Sequence, residues 1–449
     1  AQAVETRPGD PNRHDVVPEG LIPQPRHMQA FLLPLLLALP LAQDDGETTT
    51  KVTVPSNLQP TLERASDLLI EMQEDYSEAD DRKTHLPMAV GQNEWPYEGV
   101  YRVGGKIPMG YRIGGTSICA TALLGAPGRS SKRKRALERA LVFVLEALDD
   151  DDMKASGDYG YDVRGWGHAY ALDYLLRLRA LKRVPSPHNA AVNEKITWLT
   201  KILQETEIPE TGGWNYSRNS SSGRRGRRSS SEPRPSPSSP FMTPPTLFAL
   251  FEAKAQGEKV DPDVINRALD GLESCRTSEG GYPYTTGGGR DKMPGCIARS
   301  PITEVAMTLA GRGDVDRLRN AIEAFHEHWE ELEVRRCRSG THIGDYGIAP
   351  YYVMFGHRYV AMAIELLPKA ERPEHRTRLY MRMFEIQGTE KNGDAREGRD
   401  APAFFTEPDP GTWNDRVFPR SRSYGTACAM LALMQPDSAL PAAWTPKEN

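Results

Sequence analysis

Trp166-Gly167-His168-Ala169-Tyr170-Ala171-Leu172 has a second version at Phe355-Gly356-His357-Arg358-Tyr359-Val360-Ala361 and a third at Tyr424-Gly425-Thr426-Ala427-Cys428-Ala429-Met430. Each opens with an aromatic residue and a glycine and continues with a hydrogen-bonding side chain. Each then runs into a small, apolar segment long enough to be a buried helix. A motif that returns along a chain implies a repeated structural unit.

Working outward, six apolar, small-residue segments begin near Ser117, His168, Thr246, Thr303, His357 and Thr426. They are apolar nearly all round, as helices buried on every side must be. Aligned without gaps, they carry a polar group in the first turn and Ala120, Ala171, Ala249, Ala306, Val360 and Ala429 three residues on. Between them lie six segments of one-sided pattern, such as Leu62, Ala65, Leu69 and Met72, or Leu318, Ile322, Phe325, Trp329 and Leu332. These are amphipathic surface helices. The two kinds alternate strictly, which predicts an all-α fold, an (α/α)6 toroid of six outer-inner helix pairs. The turns Gly212-Gly213-Trp214, Gly280-Gly281-Tyr282, Gly340-Thr341-His342 and Gly411-Thr412-Trp413 enter inner helices. Glycine lets the chain reverse there, and the ring that follows seals the gap between neighbouring repeats.

The 449 residues are 38% hydrophobic with a formal net charge of -5, enough for a large core and without a global pull toward nucleic acid. Residues 1–27 are polar and Pro-rich and read as a disordered segment upstream of Met28. Residues 28–42, with the run Phe31-Leu32-Leu33-Pro34-Leu35-Leu36-Leu37, have the length of a signal peptide and are too short to span a bilayer. This predicts an exported protein, with no membrane span once the signal is removed. A linker at 43–56, the toroid at 57–436 and a tail at 437–449 follow. Ser217 to Pro240, with Gly223-Arg224-Arg225-Gly226-Arg227-Arg228 among serines and prolines, reads as a disordered insertion. Cys119, Cys275, Cys296, Cys337 and Cys428 show no C-x-x-C spacing. Cys119 and Cys428 approach each other if the first and last repeats close a ring.

The alternation of helices, the Gly-x-aromatic turns and the opening Tyr424-Gly425-Thr426-Ala427-Cys428-Ala429-Met430 resemble the prenyltransferase and squalene oxidase repeat proteins of the terpenoid cyclase/protein prenyltransferase superfamily. The resemblance covers roughly Asn57 to Gln435 and implies an apolar central cavity that takes an isoprenoid chain. The superfamily also contains non-enzymatic toroids, so activity is not implied by fold. Asp149-Asp150-Asp151-Asp152 matches the cyclases' Asp-x-Asp-Asp acid, but it closes an outer helix and reads as a solvated loop. Asp291 and Cys296 are too far apart for the prenyltransferases' zinc motif, and Thr426 stands where that family's pattern has histidine. No metal and no cofactor is carried over, and the thioester toroids' Cys-Gly-Glu-Gln sequence does not occur.

If the polar positions sit at inner-helix N-termini, Ser117, His168, Thr246, Thr303, His357 and Thr426 face one mouth of the barrel, where backbone N–H groups favour an anionic or hydroxylated head group. Below them Tyr170, Phe248, Tyr359 and Met430 are expected to line a mainly apolar cavity for an isoprenoid or lipid-like molecule. The alternative is that the hydroxyls satisfy the backbone and the histidines the core. Of the six positions only His168 and His357 carry imidazole, which makes them the candidate catalytic residues. Two other readings remain open: a non-catalytic secreted scaffold, which predicts a plugged centre, and an (α/α)6 carbohydrate-active enzyme. The latter needs two opposed carboxylates, for which Asp158, Asp162, Asp345 and Asp415 lie in suitable loops.

Overall fold

A computed structural model describes residues 55–76, 93–99, 101–103, 105–154, 163–216, 237–286, 292–336, 340–388, 411–415, 418 and 420–444. Residues 28–42, the arginine run, Asp158, Asp162, Asp291 and Cys337 lie outside them.

Among the described residues, thirteen α-helices follow one another. The first six are α1 (Leu58–Glu71), α2 (Met109–Gly125), α3 (Ser131–Ala147), α4 (Arg164–Ala180), α5 (Asn189–Glu205) and α6 (Thr243–Ala255). The rest are α7 (Pro262–Cys275), α8 (Ser300–Leu309), α9 (Val315–Glu327), α10 (Trp329–Glu333), α11 (Tyr352–Ile364), α12 (Arg372–Glu385) and α13 (Ser421–Leu433).

The apolar segments make the inner layer. In it α2 packs on α4, α4 on α6, α6 on α8, α8 on α11, α11 on α13, and α13 returns to α2. That circuit is a closed ring of six inner helices, with α1, α3, α5, α7, the α9–α10 pair and α12 outside it: the expected all-α toroid. The burial pattern follows the sequence pattern. Every residue of α11 is buried, whereas α12 buries only His375, Leu379, Tyr380 and Met383. Outer helices α3, α7 and α9 start on side-chain caps, Ser130 accepting from the Arg133 N–H, Asp261 from Asp263 and Asp314 from Arg317. Inner helices α6 and α8 start on proline, as do outer helices α7 and α12.

The sealing rings have a definite task. The indole N–H groups of Trp95, Trp214 and Trp413 donate to the carbonyls of Leu69, Leu203 and Met383 at 2.7, 2.7 and 2.8 Å. Each of these carbonyls lies in the last turn of an outer helix, where no intrahelical donor is left. The backbone N–H groups of the same tryptophans donate to Thr116, Thr243 and Thr426 on the inner helices at 2.9, 3.0 and 3.2 Å. One residue thus ties the end of each outer helix to the start of the next inner one. Gly213, at φ +91°, delivers Trp214 to this position, and a Cβ there would meet the Thr243 hydroxyl at 2.6 Å.

The seam between first and last repeats is held by ions. Arg420 Nε meets Glu74 Oε1 at 2.8 Å with both side chains buried, and the Arg420 N–H donates to Glu98. Cys119 on α2 and Cys428 on α13 lie close enough to interact electrostatically and are free thiols.

The structure departs from the sequence reading in four places. Inner helices α2 and α13 begin at Met109 and Ser421, ahead of Ser117 and Thr426. The glycines that make the start of α2 look like a loop are needed for its approach to α4, where a Cβ on Gly114 would stand 2.3 Å from the Trp166 ring. The fifth outer helix breaks at His328 into α9 and α10, which turns Trp329 inward. Within Ser217–Pro240, Ser238 and Ser239 are buried, because Ser239 donates to the Tyr284 carbonyl and the Ser238 N–H donates to Thr211. Finally, the tail is packed as far as Trp444, whose ring lies 5.6 Å from that of Phe251 and whose N–H donates to the Leu309 carbonyl.

Candidate functional site

The expected polar ring does not line a mouth. His168 Nε2 meets the Met153 carbonyl at 2.9 Å, and its ring stands edge-on to Trp198 of α5. His357 accepts the Trp329 indole N–H on Nε2 at 2.9 Å, so its proton sits on Nδ1 and is donated to the Val353 carbonyl at 2.7 Å. Both imidazoles face the outer layer. Burial pushes each down to about 4, so both are neutral at pH 7. Thr246 and Thr303 donate to the carbonyls four residues back, Met242 and Arg299, Thr426 bonds Trp413, and the Ser117 hydroxyl is buried without a partner. Met430 is fully buried in the core. Seven of the ten expected site residues therefore belong to the packing between or within layers. The equivalent tryptophan-bonding positions are Thr116, Thr243 and Thr426, so the ungapped alignment was one residue out on α2 and one turn out on α6. A turn of helix preserves the face and hides such a shift.

The centre of the ring is filled. Tyr170 on α4 and Tyr359 on α11, from opposite sides of the ring, meet hydroxyl to hydroxyl at 3.1 Å. Toward the N-terminal ends of the inner helices the filling continues with Trp166, 5.1 Å from Tyr170, and Phe355, 4.8 Å from Tyr359. Burial pushes Tyr359 up to about 12 and Tyr170 well above its ordinary value, so both phenols keep their protons. A chain cannot thread the axis. The filling stops short of both ends and leaves one cavity at each.

At the C-terminal ends of the inner helices lies a cavity of about 700 Å³. Tyr170, Phe248 and Tyr359 form its floor. Its walls are largely aliphatic, with Leu62, Leu124, Leu181, Met362, Leu431 and Leu433. Arg358 adds a charge to the floor. Its guanidinium lies 5.4 Å from the Tyr170 ring centre and 5.0 Å from that of Tyr359, and the nearest carboxylate, Asp173, is 3.9 Å away. The residue is 8% exposed and its Nη1 has no hydrogen-bond partner. Residues 435–444 border the cavity as a strap: they leave α13 and land on the opposite helix, α6, where the Ala442 N–H donates to Glu252 and Lys254 lies 3.6 Å above the Trp444 ring.

At the N-terminal ends is a bowl of about 390 Å³ whose described lining has no aliphatic side chain and no carboxylate. Tyr97, Tyr111, Trp166, Phe241 and Tyr424 form its base, and Tyr101, Tyr216, Tyr284, Tyr351 and His342 rise toward the rim. Sequence reasoning missed the bowl, although a signal was present. Trp95-x-Tyr97, Trp214-x-Tyr216 and Tyr282-x-Tyr284 place a tyrosine two residues after each sealing ring, and in all three pairs the first ring is buried in the core and the second reaches the bowl. In the last repeat the corresponding residue is Asp415, fully buried beside Tyr424.

Of the carboxylate candidates, Asp158 and Asp162 lie outside the described residues. Asp149, Asp151 and Asp152 are exposed, with Lys195 on Asp149 and Lys154 on Asp151. Asp345 is exposed and Asp415 buried.

No protein-family model matches the sequence, and no curated protein matches it significantly. Among solved structures, similarity is found to a type II terpene cyclase, MstE from Scytonema, in complex with geranylgeranyl dihydroxybenzoate, at 11% identity over 85% of this chain and 99% of that one with a TM-score of 0.47. An α-1,6-mannanase from Salegentibacter is similar at 10% identity over 84% of this chain and 99% of that one, with a TM-score of 0.48. A polysaccharide lyase shows 10% identity over 72% and 90% at a TM-score of 0.37.

Proposed function

We propose that the chain binds an elongated, mainly apolar molecule with an anionic group, of an isoprenoid or other lipid-like kind, in the cavity at the C-terminal ends of the inner helices. The observation that carries this reading is Arg358. A guanidinium held in a nearly closed floor with one nitrogen unpaired weakens the fold unless an anion completes its hydrogen bonds. The aliphatic walls above it favour a hydrocarbon chain, and the cavity lies within the roughly 300–1,000 Å³ typical of small-molecule sites. Export through residues 28–42 is part of the proposal and places the encounter outside the cytoplasm.

The test is fluorescence titration with cis-parinaric acid and with its methyl ester. The acid should bind saturably, and Arg358→Met should weaken it about 10- to 100-fold, as expected for a charge-assisted hydrogen bond. The ester should bind the unaltered protein as weakly as the acid binds the variant. Equal binding of acid and ester, or an indifferent variant, rules the reading out.

A further inference from the structure

We propose that the tyrosine bowl at the N-terminal mouth is a second site, built for a saccharide and independent of the cavity at the other end. The argument rests on how its hydroxyls are spent. Tyr351 donates to His342 Nε2 at 2.9 Å, and His342 Nδ1 donates to the Gly347 carbonyl at 3.1 Å. Tyr284 is hydrogen-bonded to both Tyr351 and Tyr216. With the single Tyr351 proton given to His342, Tyr284 donates to Tyr351 and accepts from Tyr216. The result is one directed chain, Tyr216 to Tyr284 to Tyr351 to His342 to a backbone carbonyl. Every proton in it is committed, and each phenol oxygen keeps acceptor capacity.

Such a wall offers ring faces and acceptors, with no charge. A pyranose matches both: its C–H faces lie on rings, and its hydroxyls supply donors to the phenol oxygens. A purely apolar ligand would strip water from those oxygens without replacing its hydrogen bonds. A quaternary ammonium ion would suit the rings, but among the described residues no carboxylate lines the bowl to neutralise it. The volume of about 390 Å³ holds a short oligosaccharide segment. The position adds to this. The connections that enter inner helices at this end span 72–108, 148–163, 206–242, 276–299, 334–351 and 386–420, each at least twice as long as any of 126–130, 181–188, 256–261, 310–314 and 365–371 at the other end. Long connections on a rigid scaffold are where recognition is usually carried.

The experiment is saturation-transfer NMR and calorimetry of the full chain with cellotetraose, α-1,6-mannotetraose and trigalacturonate, with tetramethylammonium as comparator. At least one saccharide should bind saturably. Tyr351→Phe, which keeps the ring but breaks the chain at His342, should weaken it about five- to tenfold, and Tyr101→Ala at least as much. Both variants should unfold cooperatively within a few degrees of the parent and keep its affinity for parinaric acid. Binding of none of the three saccharides, preferential uptake of tetramethylammonium, or unchanged affinity in Tyr351→Phe would overturn the proposal.

Discussion

The two ends of the toroid are formed by the same six inner helices, yet they differ in almost every physical respect. At the C-terminal end the connections are short, the cavity walls are largely leucine and methionine, and Arg358 in the floor is joined around the cavity by Asp173, Arg177, Arg183, Glu252 and Asp437. At the N-terminal end the connections are long, the walls are tyrosine, and the polar groups are neutral and bonded to one another. The Tyr170–Tyr359 contact separates them. What this teaches is that a closed ring of helices need not enclose one central site. Once its axis is filled with aromatic rings, each end can acquire its own chemistry without disturbing the other.

The largest test of that independence is mechanical. Trp214→Ala removes a buried ring and the donor that ends α5, and should cost about 3–5 kcal/mol in denaturant unfolding. Trp444→Ala removes a ring buried against Phe251 at the edge of the core and should cost about 1–3 kcal/mol while speeding parinaric acid release. Equal costs would make the strap part of the core.

Acid should act on both ends together, because His168 and His357 lie between the layers. Their folded pKa values are depressed from 6.5 to about 4. A depressed histidine takes its proton first in the unfolded chain, so stability is complete above pH 6.5 and is lost as pH falls toward 4, by about 3 kcal/mol for each. Urea midpoints across this window check the slope, and an end that keeps its ligand after the other has lost it would break the coupling.

The smallest expected effects have opposite signs. Arg358→Met should leave the ligand-free protein as stable or up to about 1 kcal/mol more so, since a poorly paired buried charge is replaced by a packed side chain. At the other end His342→Ala removes an exposed acceptor from Tyr351 and should cost about 0.5–1.5 kcal/mol. A loss on Arg358→Met would mean that the aromatic floor already satisfies the cation.

Much of the toroid was legible because its two helix types differ in pattern: α11 is apolar on all sides, α9 on one. The site was not, for a physical reason. His168 and Tyr170 are two residues apart on α4, and so about 200° apart around the helix; one meets the outer layer and the other the axis. The pattern shows that both are buried but not which way each points. Arg358 sits inside an apolar run, where the pattern alone assigns it no role. The tyrosine bowl depended on aromatic-x-tyrosine pairs that local reading treats as turn residues.

The seam formed by Glu74 and Arg420 carries a consequence for how the protein is made. An open array of repeats can settle unit by unit as it leaves the ribosome. Here the side of α2 that meets α13 cannot be covered until α13 has been synthesised, so that apolar face stays exposed while all the repeats between them emerge. Contacts this far apart in sequence also slow folding. Emergence of the last repeat, rather than of any earlier one, is therefore the moment at which the nascent chain should become resistant to proteolysis.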